Sequence, residues 1–208
     1  MGRTRQTVDL MTATELIAFE AEVAEMFNQG RIRAPCHLSG GNESQLIEIF
    51  KGIARGDYVL SNYRWHYHAL LHGIPREKVI AELLAGKGMN MASVEHRFLT
   101  SAIVGGMLPI AVGIAAGIKC RGEKRKVWCF VGDMAATTGA FHEATNYAYC
   151  NSLPVKFIVE DNGFATNTPT EEAWGPLLPY ESGSPQVMRY EYKRTHPHVG
   201  AGKFVRFQ

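Results

Sequence analysis

The chain has 208 residues, of which 46% are hydrophobic and 20% are charged, and its formal net charge is +2. This length and composition are ordinary for a globular protein with one sizeable α/β domain. The small net charge, without any block of like charges, argues against a nucleic-acid-binding protein. The four cysteines form no C-x-x-C pair and no zinc spacing. This pattern predicts reduced thiols and a cytoplasmic location.

The sequence favours neither a signal peptide nor a membrane span. The N-terminus has basic residues but no apolar core followed by a small-residue cleavage site, so no signal peptide is expected. Residues 102–118 carry no charge, which makes a membrane span the alternative interpretation there. That segment is short for a span of about 20 residues, and it contains Pro109 and four glycines. A buried helix in a close-packed interface is the preferred interpretation.

The first 61 residues have a mainly helical pattern. Apolar residues recur at helical spacing over residues 12–29, with Thr12 or Thr14 as the N-cap and Gly30 at the end. A turn-rich link over residues 35–43 leads into a second predicted helix, residues 42–54. Residues 57–61 then indicate a short strand.

The segment of residues 62–68 is dense in polar aromatic side chains, which are costly to bury without partners. It predicts a binding surface or a partly exposed helix start. His68 and His72 share a helical face and, with His66, suggest a metal site. No acidic or cysteine ligand lies close by in sequence, so zinc is not the preferred interpretation. Pro75 then suits the first turn of a helix over residues 76–85.

The middle of the chain combines a predicted loop with an unusual helix. Mixed polarity predicts a loop over residues 87–100. In the uncharged segment that follows, glycine recurs at positions 105, 106, 113 and 117. Each glycine costs a helix about 1 kcal/mol relative to alanine. Its repeated use therefore indicates a smooth face against which another backbone or a ligand packs.

Two apolar runs end in oxygen-bearing side chains, Asp133 after residues 127–132 and Asn162 after residues 157–161. A helix-length segment, residues 138–150, separates them. This pattern predicts two parallel strands whose carboxyl ends place Asp133 and Asn162 side by side, where open α/β sheets bind ligands. Mg²⁺ prefers oxygen ligands and often joins carboxylates to phosphates. The alternative, that both residues only cap helices, stays open on spacing alone.

Several other chemistries are not indicated. The chain has no G-x-G-x-x-G after a strand, no P-loop with Gly-Lys-Ser or Gly-Lys-Thr, and no G-x-S-x-G elbow. Beyond Asn162 the pattern weakens. Residues 163–184 predict mainly loop, and residues 186–192 predict another strand.

A resemblance adds to this pattern. Gly132-Asp-Met-Ala-Ala136 followed by Glu160-Asp-Asn162 resembles the GDG…NN motif of thiamine-diphosphate enzymes. Residues 98–113 resemble the loop and helix before the GDG strand in alpha subunits of 2-oxo acid dehydrogenases of the pyruvate, branched-chain and acetoin type. Tyr63-Arg64 with His66 and His196-Pro-His198 resemble two further motifs of that family. Together the similarity covers about residues 14–198.

The resemblance implies a fold, a cofactor and a set of protein ligands. The fold would be an α/β three-layer sandwich with a mostly parallel sheet, formed by one domain over residues 1–208. Its N-terminal helical part would be residues 1–60 and its cofactor-binding core residues 61–200. The cofactors would be thiamine diphosphate and Mg²⁺. The metal ligands would be Asp133, Asn162 and the Phe164 carbonyl.

The remaining roles also come from the resemblance. Tyr63 and Arg64 would hold the diphosphate, the arginine through its bidentate donors. Val104 would meet the aminopyrimidine ring. The cofactor-binding segment after the strand would be Gly132, Asp133, Met134 and Ala135, with Ala135 donating its backbone N–H to the diphosphate. His198, and secondarily His196, would position substrate or transfer protons.

An alpha subunit of this kind implies a separate beta-type subunit that supplies the activating glutamate, in a hetero-oligomer or dimer acting on a small 2-oxo acid. A split transketolase or carboligase subunit and a non-catalytic cofactor-binding relic are the alternatives. Met134 and Ala102 stand where the family has glycine, and Asp161 stands where it has asparagine. Met134 is expected to fit the backbone of that glycine poorly, and Asp161 to add a negative charge near the metal.

Overall fold

The computed structural model describes residues 10–175 and 184–205. The helices are α1 (Ala13–Asn28), α2 (Glu43–Phe50), α3 (His66–Leu71), α4 (Arg76–Leu84), α5 (Met107–Cys120), α6 (Asp133–Ala136), α7 (Gly139–Cys150) and α8 (Thr170–Trp174). The strands are β1 (Tyr58–Ser61), β2 (Ala92–Ser93), β3 (Phe98–Thr100), β4 (Val127–Gly132), β5 (Val155–Asp161), β6 (Phe164–Ala165), β7 (Thr168–Pro169) and β8 (Val187–Glu191).

One six-stranded sheet organises the chain. Its strand order is β2-β3-β1-β4-β5-β8. The neighbours from β3 to β8 pair in parallel, and β2 pairs antiparallel with β3 at one edge. A separate antiparallel hairpin joins β6 and β7. The predicted mostly parallel sheet is therefore confirmed.

Helices cover both faces of the sheet. On one face, α1 to α4 pack over a core that includes Val59, Phe130 and Ile158. On the other face, α5 and α7 pack over a core that includes Leu60 and Cys129. Adjacent strand residues such as Val59 and Leu60 thus serve opposite cores, because successive side chains of a strand point to opposite faces. This arrangement is the predicted three-layer α/β sandwich.

Most predicted elements form close to their expected bounds. α1 begins after Thr12, which forms a capping box with Glu15. The second helix ends earlier than predicted, because α2 stops at Phe50 and tight turns follow it. Pro75 is the N-cap residue of α4 and lies just outside its first turn, which corrects its predicted position.

Two predicted loops contain short strands. Residues 87–100 were expected to be a loop, yet they contain β2 and β3. The pairing of Phe98 with Val59 is parallel and distant in sequence, so local periodicity does not predict it. Residues 163–175 likewise contain β6, β7 and α8. Residues 176–183, which complete that predicted loop, lie outside the described residues.

The aromatic segment after β1 divides into two parts. Residues 62–64 are half-buried and line a cavity, which agrees with the predicted binding surface, whereas residues 65–68 are buried and do not form a partly exposed helix start. All six residues of α3 are buried, and Trp65 before it is fully buried. Burial is tolerated because the polar atoms find partners: Trp65 Nε1 donates to the Gly88 carbonyl at 3.1 Å and Tyr67 donates to Glu43 at 3.1 Å. This segment forms part of the core that supports the site.

The uncharged glycine-rich segment becomes α5. One side of this helix is buried in the second core, while Ile110 and Gly113 on its other side are exposed. Within the described ranges, no helix combines the length and apolarity needed to cross a membrane. The four cysteines are free, Cys36 and Cys129 being buried and Cys120 and Cys150 exposed.

Candidate functional site

The sheet topology creates one crevice at the carboxyl ends of its strands. β1 lies between β3 and β4, so the chain leaves β1 toward one side of the sheet and later builds β4, β5 and β8 on the other. Open α/β sheets bind ligands at such a reversal of strand order. The residues that follow β1, β4 and β5 at this edge are Asn62, Asp133 and Asn162. All three line a cavity there.

That cavity collects every residue predicted to bind the cofactor or the metal. These residues are Tyr63, Arg64, Val104, Gly132, Asp133, Met134, Ala135, Asn162 and Phe164. They come from four separate parts of the chain, so the fold brings together what the sequence only suggested. The two predicted catalytic histidines, His196 and His198, do not line the cavity; His198 contacts its wall through Tyr63, with ring centroids 5.6 Å apart.

Asp133 is the buried carboxylate of this edge. It begins the short helix α6 directly after β4, and it accepts a hydrogen bond from the hydroxyl of Thr170. Burial raises the pKa of Asp133; the Thr170 hydrogen bond opposes the rise and the nearby Asp161 carboxylate adds to it. The backbone N–H of Asn162 also interacts with the Asp133 carboxylate. The predicted proximity of Asp133 and Asn162 is therefore confirmed.

Asn162 and Phe164 form a tight turn beside Asp133. The Asn162 side-chain carbonyl accepts the backbone N–H of Phe164 at 3.0 Å, which is an Asx turn. The amide nitrogen of Asn162 donates to the Tyr192 hydroxyl at 3.3 Å. These bonds fix the side chain of Asn162 at the cavity edge, close to the backbone of Phe164.

Arg64 supplies the positive charge of the cavity. Its backbone N–H donates to the Asn62 side chain at 2.7 Å, and its Nε donates to the Leu38 carbonyl at 3.1 Å. The guanidinium lies 5.6 Å from the ring centroid of Tyr63. Its Nη2 is buried without a hydrogen-bond partner among the described residues. Arg64 is therefore oriented by the protein and keeps donor capacity free.

Two further polar atoms, in other cavity-lining residues, are also buried without a hydrogen-bond partner among the described residues. Ser39 Oγ and Asn42 Oδ1 are buried and have no hydrogen-bond partner within the described chain, and both residues line the cavity. Buried polar atoms in native proteins are nearly always paired. Unpaired atoms around one cavity indicate that a polar ligand or water completes them.

Glu160 forms a hydrogen-bonded centre beneath the cavity. It accepts from Tyr190 at 2.6 Å, from Asn42 at 3.2 Å and from Asn62 at 3.3 Å, and its Oε1 lies 3.1 Å from His68 Nε2. Burial alone would raise the pKa of Glu160, but His68 and Tyr190 hold it below its usual value. Glu160 thus carries a buried negative charge that fixes two cavity-lining amides.

The segment that carries His198 packs on the loop before α2. His37 Nδ1 lies 2.6 Å from the His198 carbonyl, and the two rings are 4.7 Å apart. Gly40 and Gly41 have positive φ, and a side chain on either would collide with Thr195 or with the Lys193 backbone. Glycine is therefore required there by both conformation and space. This close approach brings His198 and His37 to the edge of the cavity beside Tyr63.

Met134 and Asp161 were expected to disturb the site, and the structure shows how each is accommodated. Met134 lies in α6, and the non-glycine residues with positive φ in the described ranges are Arg97, Ser152 and Thr166. The expectation that methionine fits poorly here is wrong, because position 134 is ordinary helix. Asp161 does lie near Asp133, but its charge is paired with Arg189 of β8.

The three histidines of the α3 region do not form a metal site. The described residues contain no group of three or more histidine, cysteine or acidic side chains placed to hold a metal ion. His66 Nδ1 pairs with Glu20 at 2.7 Å, and His72 Nε2 lies 2.9 Å from the His96 carbonyl. Each ring is used to pair buried polar groups.

Sequence reasoning missed several residues of this site, above all His37, Glu160 and Thr170. His37 lies in the segment that was interpreted only as a link, residues 35–43. The available signal was its clustering of polar residues with two consecutive glycines, which indicates a close backbone approach. Glu160 directly precedes Asp161 and Asn162, but the resemblance assigns it no role. Thr170 gave no signal, because only the fold places it on Asp133.

Comparison with known proteins places this site in a family. A family model described as "Dehydrogenase E1 component" matches residues 11–177. The alpha subunit of an acetoin:2,6-dichlorophenolindophenol oxidoreductase from Bacillus subtilis is 34% identical over 76% of this chain and 51% of its own length. The alpha subunit of the pyruvate dehydrogenase E1 component from Zymomonas mobilis is 35% identical over 74% of this chain and 47% of its own length.

A solved structure of a candidate thiamin diphosphate-dependent enzyme from Mycobacterium smegmatis matches with a TM-score of 0.44 and 20% identity, over 65% of this chain and 23% of that chain. This likeness is too distant to support an argument. The chain spans about half the length of the curated relatives it matches. The family model nevertheless covers most of the chain, including β1, β4, β5 and every residue predicted to bind the cofactor or the metal. The chain therefore belongs to the dehydrogenase E1 component family.

Proposed function

We propose that the cavity binds thiamine diphosphate with Mg²⁺ and that the chain is the alpha-type subunit of a 2-oxo acid dehydrogenase. The observation that carries the proposal is Arg64: its guanidinium is oriented by the protein, yet its Nη2 is buried beside the cavity with no hydrogen-bond partner in the part of the chain that the structure describes. A buried cationic donor needs an anionic acceptor. A diphosphate oxygen supplies one, through a charge-assisted hydrogen bond.

The oxygen-bearing groups across the cavity suit the metal. Asp133 offers a carboxylate, Asn162 a side-chain carbonyl and Phe164 a backbone carbonyl, and Asp133 and Asn162 are in contact. This all-oxygen set fits Mg²⁺, which is commonly held by few protein ligands together with phosphate oxygens and water. Met134 fits as well, since it occupies helical backbone and makes no demand for glycine.

The remaining cavity residues are also assigned to separate parts of the cofactor. Tyr63 and Arg64 would hold the diphosphate, and Gly132, Met134 and Ala135 would form the backbone segment beside it. Val104 would contact the aminopyrimidine ring. When bound, the cofactor supplies the nucleophilic carbon that adds to a 2-oxo acid and stores the electrons left when carbon dioxide departs. His198, with His196 nearby, positions the substrate or transfers protons at the cavity edge.

We also propose a partner subunit of the beta type, which supplies the activating glutamate. Exposed apolar side chains occur on the loop before α5, on α5 and on α7: Ile103, Val104, Ile110, Tyr147 and Tyr149. Gly113 on α5 is exposed, and a Cβ there would have no neighbour within 4 Å among the described residues. An apolar, smooth surface next to Val104 suits a subunit that closes the cofactor site.

Substrate, compartment and domain extent belong to the same proposal. A small 2-oxo acid is the proposed substrate class, since one relative is named for pyruvate. The relative named for acetoin, which is a hydroxy ketone, does not argue for an acid. The cysteine pattern favours a cytoplasmic location, although one relative is named as mitochondrial and another as chloroplastic. Residues 1–208 are proposed as one cofactor-binding domain. A split transketolase or carboligase subunit would use the same cavity and remains the second candidate; the glycine-rich stretch of residues 103–109 favours the dehydrogenase.

Equilibrium dialysis with thiamine diphosphate, with and without Mg²⁺, tests the proposal. The chain should retain the cofactor only with Mg²⁺, and Arg64→Gln should weaken retention by about 10- to 100-fold, as expected for a lost hydrogen bond to a charged group. Arg33→Gln, at an exposed position away from the cavity, is the matched control. Equal retention by the wild type and Arg64→Gln would refute the site. Turnover of a 2-oxo acid by the chain alone would refute the need for a partner.

A further inference from the structure

The segment after β5 folds back onto Asp133. Gly163 has positive φ and begins a turn into the hairpin of β6 and β7. The hairpin closes where the backbone N–H of Thr170 donates to the Gly163 carbonyl at 2.9 Å. Asn162 and Phe164 therefore stand at one end of a closed loop, and Thr170 returns to the same place. A loop closed in this way can hold its two ends in a fixed relation.

Thr170 connects this loop to Asp133, which follows the neighbouring strand β4. Its hydroxyl donates to Asp133 Oδ2, and the residue is only 4% exposed. Asp133 follows β4, whereas Thr170 follows the hairpin, so this hydrogen bond joins the two sides of the proposed metal site. No other hydrogen bond from a side-chain hydroxyl to Asp133 occurs in the described part of the chain.

We propose that Thr170 is a positioning residue for the metal: its hydroxyl fixes the Asp133 carboxylate and holds the loop with Asn162 and Phe164 against it. This inference rests on the proposed function. The hydroxyl donates to Oδ2 and so orients the carboxylate that would bind the cation. Hydrogen bonds to the ligands of a metal orient those ligands, and their loss typically costs 10- to 100-fold in metal affinity.

The geometry explains why a threonine serves here. The side chain is buried beside a carboxylate, so an apolar residue of the same shape would leave Oδ2 without its donor. A buried acceptor that loses its donor destabilises the folded state. The carboxylate would also no longer be held in one orientation. Thr170 also lies too far from Asn162 in sequence to be explained by the local Asx turn. Its position depends on closure of the hairpin.

Binding of Mn²⁺, used as a spectroscopic substitute for Mg²⁺, tests this inference. Free Mn²⁺ is measured by electron paramagnetic resonance during titration of the full-length chain in excess thiamine diphosphate. Thr170→Val, which keeps the shape and removes the hydroxyl, should weaken Mn²⁺ binding about 10-fold or more. Thr170→Ser should restore it to near the wild-type value. Thr168→Val, at an exposed position of the same hairpin, should bind as the wild type does.

The outcomes separate the inference from the proposed function. If the wild type binds Mn²⁺ and Thr170→Val binds equally well, the role of Thr170 is refuted while the site stands. If Thr170→Ser is as weak as Thr170→Val, packing of the methyl group and not the hydroxyl matters, and the inference is again refuted. If the wild type itself fails to bind, with or without a beta-type subunit, the proposed function fails. Circular dichroism checks folding, and Thr170→Ala is the second variant if Thr170→Val does not fold.

Discussion

Asp161 of β5 forms an ion pair with Arg189 of β8. Asp161 is the residue directly before Asn162. The Asp161 side chain is only 10% exposed, whereas the Arg189 side chain is 38% exposed. Asp161 also accepts the backbone N–H of Gly163 at 2.9 Å, at the start of the hairpin. The extra negative charge at position 161 is thus paired with Arg189, although Asp161 still lies near enough to Asp133 to raise the pKa of that carboxyl group.

This pairing predicts that Arg189→Gln will weaken thiamine diphosphate binding severalfold. The unpaired carboxylate of Asp161 would then act on an anionic ligand, and partly exposed ion pairs are worth about 1 kcal/mol or less. Asp161→Asn combined with Arg189→Gln should recover most of the loss, because the charge that needs pairing is gone. Calorimetric titration of the two single variants and the double variant measures the coupling. Additive losses would contradict it.

His72 predicts a loss of stability in acid. Burial lowers the pKa of His72 from 6.5 to about 4, with the His96 carbonyl opposing the shift. Between these two values the unfolded chain binds a proton that the folded chain does not, so the free energy of unfolding falls as the pH falls from 6.5 toward 4. The loss is on the order of 2–3 kcal/mol. His37, whose pKa burial also lowers to about 4, adds a similar loss.

Urea denaturation of the wild type and His72→Gln at pH 7 and pH 4.5 checks this prediction. Glutamine keeps a donor for the His96 carbonyl but cannot be protonated, so the variant should lose less stability on acidification. His142→Gln, an exposed substitution on α7, controls for the general effect of removing a histidine. If His72→Gln lost as much free energy of unfolding between pH 7 and pH 4.5 as the wild type does, His72 would not be responsible for the acid sensitivity.

Glu20 and His66 predict a large cost for removing one member of a buried pair. Burial opposes a charge on His66, but Glu20 beside it raises the pKa of His66 to about 10. Glu20 also accepts the backbone N–H of Ser39 at 2.6 Å. Because the folded pKa of His66 is raised, its stabilising contribution is full below about pH 6.5 and is lost as the pH rises toward 10.

Glu20→Ala should therefore destabilise the fold by about 3–5 kcal/mol at pH 7, since it leaves a buried partner uncompensated. The matched control is Glu22→Ala, which breaks an exposed ion pair with Arg76 and should cost about 1 kcal/mol or less. Urea denaturation compares the two variants. Equal costs would mean that the buried pair adds nothing beyond a surface pair.

The sequence could predict those parts of the fold that are encoded locally. α1 carries its own capping box and apolar stripe, and the apolar runs of β4 and β5 end in the residues that identify the sheet edge. β3 could not be predicted, because three residues of mixed polarity become a strand only through pairing with β1. The burial of α3 also depends on distant partners such as Glu20 and Glu160, which no local pattern specifies.

The site, like the fold, contains residues that the sequence could predict and residues that it could not. Asp133, Asn162 and the Tyr63-Arg64 pair were predictable, because motifs and strand ends mark them. The contact of Thr170 with Asp133 and the network around Glu160 were not, since both depend on how separate segments meet. The doubt over Met134 rested on the glycine of a motif, and the backbone of α6 removes it.

Calorimetric titration with thiamine diphosphate in the presence of Mg²⁺, on the wild type and Asp133→Ala, tests the central claim most directly. The wild type should give binding heat that disappears without Mg²⁺. Asp133→Ala should bind more than about 100-fold more weakly, because loss of a direct ligand exceeds the 10- to 100-fold cost of losing its supporting groups. The claim is contradicted if the wild type gives no heat even with a beta-type subunit present, or if Asp133→Ala binds as tightly as the wild type.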